Sequence, residues 1–334
     1  MKLFPYIQTE TKVIQEIPWN VTQVNAPSFW TKTKGDGVVV AVVDTGLDVQ
    51  HPEFAGRIIN PRNFVGNNIH DVTDHSGHAT HVAGIIGGKN VGIAPECRIM
   101  PLKVFPYSTG FEFHDSFKYI LDYNETANED DKVRVVNCSW GSTSCDTYLN
   151  YLIRRLIDSG VIIITSAGNS GDGKADTSEI FNYPGYLWEV ITVAALNQDG
   201  NIATYSSSYD GIDLSAPGSY IYSAWPGGGY MKLSGTSMSA PHISSACALF
   251  ISAWKIREGI YPTVDQIEDV LFKHVRKLNL EKELVGSGIL DLTWKNTNWP
   301  LYRTQVGAYY NKSGCEITLQ QVKNAGFSTY MVKY

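Results

Sequence analysis

The run Gly37-Val-Val-Val-Ala-Val-Val-Asp44 constrains the fold more than any other stretch of the chain. It is apolar without alternation, the pattern of a strand covered on both faces rather than one with a solvated side. Val133-Arg-Val-Val-Asn-Cys-Ser139, Val161-Ile-Ile-Ile-Thr165 and Glu189-Val-Ile-Thr-Val-Ala-Ala195 read the same way. Between Val133–Ser139 and Val161–Thr165 lies Tyr148–Asp158, with Leu149, Leu152, Ile153, Leu156 and Ile157 at helical spacing and Gly160 placed to end the helix. Strand, helix, strand in that order predicts an α/β fold, a doubly wound and mostly parallel sheet with helices on both faces. Chemistry in such sheets gathers where the strands end. Asp44, the pair Ser139 and Trp140, and Ser166-Ala-Gly-Asn169 are therefore expected to converge on one rim.

The 334 residues suffice for one large domain or two ordinary ones. A formal net charge of -6 gives no electrostatic case for nucleic acid or an anionic membrane as partner. The N-terminus has one early lysine and no apolar stretch of signal-peptide length, and nothing later approaches about 18 uninterrupted apolar residues, which predicts a cytoplasmic protein without membrane contact. Cys97, Cys138, Cys145, Cys247 and Cys315 are too few and too scattered for a disulfide framework, and no Cys-x-x-Cys pair suggests zinc.

Two polar stretches run into apolar helices. In the segment around Ser237, Pro241 predicts a helix beginning a few residues earlier, since proline is well tolerated in a first turn. Ser237 then stands near the helix start, either as a cap or where free N–H groups and the helix dipole favour developing negative charge. The other stretch is Asp74-His-Ser-Gly-His-Ala-Thr-His81. Its histidines at spacing three, His75, His78 and His81, would lie roughly on one side of a helix, as a metal site needs. The competing reading joins an acid, an imidazole and a hydroxyl into a nucleophilic triad, and Asp44, His78 and Ser237 supply every part.

Val42-Val-Asp-Thr-Gly46 with His51-Pro52, His78-Ala-Thr-His-Val-Ala-Gly84 and Gly235-Thr-Ser-Met-Ser-Ala-Pro-His242 resemble the three signature blocks of the subtilisin-like serine proteases, in that family's order. The similarity covers roughly residues 20 to 295 and includes Gly92–Pro95, Tyr183-Pro-Gly185 and Asp213–Gly218. The resemblance implies a serine endopeptidase working through an acyl-enzyme on protein or peptide substrates, with no catalytic cofactor. Ser237 would be its nucleophile, His78 the base and then acid, Asp44 the orienting carboxylate and Asn169 an oxyanion donor. Ser139, Trp140 and Gly141 match the edge on which the family lays its substrate as an extra strand, with Ala167 and Gly168 lining the site. The family usually has a smaller apolar residue where Trp140 stands, so packing and specificity are both open roles for it. Ser170 and Asn182 near the primary pocket are neutral, which predicts no demand for a charged side chain. Ala79 replaces a family glycine and adds a methyl compatible with a helix. The loop before Gly92 is short, which puts the family's tight calcium site in doubt although Glu53 stands where one ligand would. Asp213 matches a carboxylate of a weaker Ca²⁺ site, a structural ion only, completed by carbonyls after Pro184.

Leu3-Phe4-Pro5-Tyr6 is similar to the Leu-Ile-Pro-Tyr of intracellular subtilisins, whose short extension lies across the cleft and blocks it. Residues 1–18 are thus expected to be an inhibitory extension, 19–297 the catalytic domain and 301–334 a small β-α-β segment. Gln305–Tyr309 and Ala325–Phe327 resemble half of a sporulation-related peptidoglycan-binding repeat. A lone half would have to pair with a second copy as a homodimer, dock on the protease, or continue in a longer protein. The alternative from another class is a binding protein built on a dead protease domain.

Overall fold

A computed structural model describes residues 1–3, 7–10, 17–106, 109–175 and 182–294, with Lys2 and residues 7–10 described in backbone only. Phe4, Pro5, Tyr6 and the whole of 301–334 lie outside the described residues, and with them much of the proposed inhibitory motif and the entire half-repeat.

Strands β1 (Lys2–Leu3) and β2 (Ile7–Glu10) and helices α1 (Trp19–Gln23) and α2 (Ala26–Phe29) open the chain. Next come β3 (Val39–Asp44), β4 (Arg62–Asn63), α3 (His78–Gly87), β5 (Arg98–Lys103), α4 (Phe111–Thr126), β6 (Val133–Cys138) and β7 (Trp140–Gly141). After them follow α5 (Thr147–Asp158), β8 (Ile162–Ser166), β9 (Ile191–Leu196), β10 (Leu214–Pro217), β11 (Ile221–Trp225) and β12 (Gly229–Ser234). Last are α6 (Thr236–Glu258), α7 (Val264–Lys273), β13 (Val275–Arg276), α8 (Lys282–Val285) and β14 (Ile289–Leu290).

The central sheet runs β13-β14-β10-β9-β8-β6-β3-β5-β4, and every pairing in it is parallel except β13 with β14. All six residues of β3 are buried, as its unbroken apolar run requires. Helices α3 and α6 lie against one face, where α6 contacts β6, β8, β9 and β10. On the other face Phe113, Phe117 and Ile120 of α4 and Leu149, Leu152, Ile153 and Leu156 of α5 pack on Val39, Ala41, Val43 and Val136. The predicted doubly wound α/β class is the observed one. Helix α5 starts at Thr147, where the Asp146 carboxylate accepts from the N–H groups of Tyr148 and Leu149.

One boundary differs from expectation, and one proline sits deeper in its helix than a first-turn proline does. The second predicted strand stops at Cys138; Ser139 breaks the ladder and β7 sets off as a separate edge. Pro241 is the sixth residue of α6 rather than part of its first turn. A proline there removes the helical donor for the carbonyl four residues earlier, that of Ser237. The Ser139 hydroxyl donates to that carbonyl at 2.9 Å, so the fold supplies from β6's exit what the helix lacks.

Candidate active site

Asp44 ends β3 and His78 begins α3, both with no exposed surface. The imidazole Nδ1 lies 2.8 Å from Asp44 Oδ1 and 3.0 Å from Oδ2. A carboxylate at that ring nitrogen selects the tautomer protonated on Nδ1 and leaves Nε2 as the basic nitrogen. Asp44 Oδ1 also accepts from the Thr45 N–H at 2.7 Å. His78 can begin a helix here because Gly77 adopts φ 83°, and a Cβ at Gly77 would clash with the Trp225 ring. Asp74 anchors the same turn. Its carboxylate accepts from Thr45 Oγ1, Thr80 Oγ1 and the N–H groups of Ser76, Gly77 and Thr80 at 2.7 to 3.1 Å. Thr45 Oγ1 in turn accepts from Ala79 N at 3.0 Å, so the acid and base are tied to each other through backbone as well as side chains.

The three histidines of this stretch do not converge. His75 is exposed before the helix, His78 faces Asp44, and buried His81 has its Nε2 against the carbonyls of Ile221 and Met231 at 2.9 and 3.1 Å. Burial pushes the His81 imidazole down to about 3, a neutral structural group. The metal reading of this segment is therefore set aside on geometry.

Ser237 is the second residue of α6 and is fully buried. Its hydroxyl donates to the Ser139 carbonyl at 3.1 Å while the Ser139 hydroxyl donates back to the Ser237 carbonyl. Behind Ser139 stands a relay of amide and hydroxyl: Asn137 Nδ2 donates to Ser139 Oγ, and Ser244 Oγ donates to Asn137 Oδ1, both at 2.9 Å. Asn169 follows β8 and is half-buried. Its Oδ1 accepts from Thr236 N at 2.9 Å and Thr236 Oγ1 at 2.8 Å, which makes the NH₂ end of the amide its donor side. Gly168, at φ 107°, admits no side chain, since a Cβ would fall 1.7 Å from the Asn182 amide nitrogen. Thr236 is a residue that sequence reasoning passed over, and its signal was weak: a threonine at a helix start is ordinarily a cap.

Residues 35–288 match the subtilase family, a span that includes Asp44, His78, Asn169 and Ser237. The chain belongs to the subtilase family. It is a serine endopeptidase of that class. Among curated proteins it is 35% identical to an "Intracellular serine protease" of Paenibacillus polymyxa over 300 residues, 87% of this chain and 90% of that protein. It is 33% identical to the "Major intracellular serine protease" of Bacillus subtilis (strain 168) over 303 residues, 88% of this chain and 93% of that one. Thermitase of Thermoactinomyces vulgaris is 32% identical over 260 residues, 73% of this chain and 87% of thermitase.

The edge beside this subtilase's site is β7, which pairs antiparallel with β1: Lys2 opposite Gly141 and Leu3 opposite Trp140. Farther on, β2 pairs antiparallel with β12, Ile7 opposite Ser234 through Glu10 opposite Met231. The described parts of the N-terminal segment thus lie on the two strands that flank Ser139 and Ser237. Leu3 lines a cavity of about 300 Å³ with Thr45, His75, Ser76, Lys103, Phe105 and Pro106. The Trp140 side chain is buried, with its ring edge-on to Phe113 and Phe117 at centroid distances of 4.8 and 6.4 Å. Of the two roles open to it, packing is the one its side chain visibly fills. Asn182 donates to the Ala167 carbonyl and stays neutral beside the site.

The two carboxylates matched to the family's calcium sites, Glu53 and Asp213, both accept hydrogen bonds from the protein. Glu53 is buried and accepts from Asn90 N, Asn90 Nδ2 and Tyr230 OH at 2.7 to 2.9 Å. Asp213 Oδ2 accepts from Thr192 N at 2.8 Å, and the Gly185 carbonyl accepts from Thr192 Oγ1 at 2.5 Å. Burial pushes the Asp213 carboxyl up to about 6. Among the described residues no group of three or more His, Cys, Asp or Glu side chains could hold a metal ion.

Proposed function

We propose that Ser237, His78, Asp44 and Asn169 carry the peptidase chemistry and that residues 1–18 restrain it. The observation that carries the first part is the direct Asp44–His78 pairing at 2.8 Å. For attack, the Ser237 hydroxyl leaves the Ser139 carbonyl and passes its proton to His78 Nε2 as its oxygen bonds to the substrate carbonyl carbon. Asn169 Nδ2 and the Ser237 N–H then face the negative oxygen. Collapse breaks the carbon–nitrogen bond, and His78 returns the proton to the leaving amine. Water repeats the sequence on the acyl-enzyme. Asp44 holds the ring in place and stabilises the imidazolium.

The restraint is supported by the pairing of β1 with β7, the edge expected to receive a substrate strand, and by the further hold of β2 on β12. Pro5, between these strands in sequence, has no N–H to give such a ladder. A cytoplasmic location agrees with the names of the intracellular relatives; among the described residues no helix is long and apolar enough to cross a membrane. Hydrolysis of unfolded casein that disappears in Ser237→Ala tests the peptidase assignment. Retention of hydrolysis in that variant would refute it and favour the reading of a dead scaffold carrying a contaminant's activity.

A further inference from the structure

The carbonyl of Val43, one residue before Asp44, faces β6 rather than β5, because the next carbonyl along, that of Asp44, accepts from Val104 on the β5 side. The ladder between β3 and β6 ends one residue short of it, at Val42 opposite Asn137. Beyond that pair Ser139 turns the chain out of β6, where a continued ladder would have placed the next donor. The Trp140 indole supplies one: Nε1 donates to Val43 O at 2.7 Å, and the whole side chain is buried. The backbone of the same residue belongs to β7, where Leu3 is paired. One residue therefore touches the strand of the catalytic acid with its side chain and the peptide-receiving edge with its main chain.

We propose that Trp140 is a positioning residue, through which a peptide laid along β7 holds the end of β3, and so Asp44, in its working place. The inference rests on the assignment of Asp44, His78 and Ser237 made above. A smaller apolar residue would leave the Val43 carbonyl buried and unpaired and would let β7 move independently of β3. The ring contacts with Phe113 and Phe117 fix the indole so that its N–H has one direction to point.

The test compares Trp140→Phe with the unaltered full chain on two anilides, one acylated by a tetrapeptide that spans β7 and one by a single residue that does not reach it. Rates are expressed per site titrated with a fluorophosphonate, so that unfolded protein is not counted. The expected result is a loss of about tenfold in kcat for the tetrapeptide, the size of one buried hydrogen bond, with KM unchanged and a smaller loss for the single-residue anilide. Equal kcat per site in the two proteins, with or without a lower Tm, would overturn the proposal and leave Trp140 as packing alone. Titration and turnover that survive Ser237→Ala would instead overturn the site assignment beneath it.

Discussion

Ser139 and Ser237 exchange hydrogen bonds: each hydroxyl donates to the other's carbonyl, at 2.9 and 3.1 Å. The exchange exists because Pro241 withholds the N–H that would otherwise close the Ser237 carbonyl within α6. A proline inside a helix is usually a defect, and here it frees a carbonyl that welds the proposed nucleophile to the end of β6.

A double-mutant cycle isolates that weld. Ser139→Ala strands the buried Ser237 carbonyl and is predicted to destabilise the fold by about 1–3 kcal/mol. Pro241→Ala restores an N–H to the helix and should shrink that loss, giving a coupling between the two sites. Denaturant unfolding of the four proteins reads it; strict additivity would contradict the account.

Asn169→Ala removes the proposed side-chain donor to the oxyanion while leaving Thr236 to satisfy itself elsewhere. A fall in kcat of about 10²–10³ with little change in KM is expected. A loss confined to KM would mean that Asn169 binds substrate without stabilising the transition state.

Removal of residues 1–18 clears β7 and β12 of their N-terminal partners. Activity on a small chromogenic peptide is predicted to rise, and the liberated segment supplied as a separate peptide to lower it again. Equal activity before and after truncation would count against an inhibitory role.

Burial, with Asp265, Asp213 and Asp269 acting in the same direction, pushes the Glu268 carboxyl of α7 up to about 7. The folded protein then keeps a proton that the unfolded chain releases at the ordinary glutamate value of 4.5. Stability from this group is complete below that value and is lost as pH rises toward 7. Glu268→Gln should therefore raise Tm at about pH 8 and change it little at about pH 4. An equal change at both would show that the carboxyl does not titrate across that window.

The sheet was legible because burial on both faces leaves a mark that survives in one strand at a time, as in Val39–Asp44. Asp44, His78, Ser237 and Asn169 stand out because each occurs where an apolar element begins or ends. Their supports were harder to see. Asp74 holds Thr45 from 29 residues away and Thr236 holds Asn169 from 67, through hydrogen bonds that no periodicity records. Pro241 marked the start of α6 correctly, but the partner that makes it tolerable, Ser139, lies just over a hundred residues earlier and left no sign in the sequence. Trp140 looked ambiguous because its backbone and its side chain face different tasks.

The central claim is that the Ser237 hydroxyl, with the Asp44–His78 pair as its base, is the nucleophile. Labelling the full chain with a fluorophosphonate and mapping the adduct by peptide mass spectrometry tests it most directly. A single adduct on the peptide containing Ser237, absent in His78→Ala, is the predicted result. An adduct on any other residue, or undiminished labelling without His78, would contradict it.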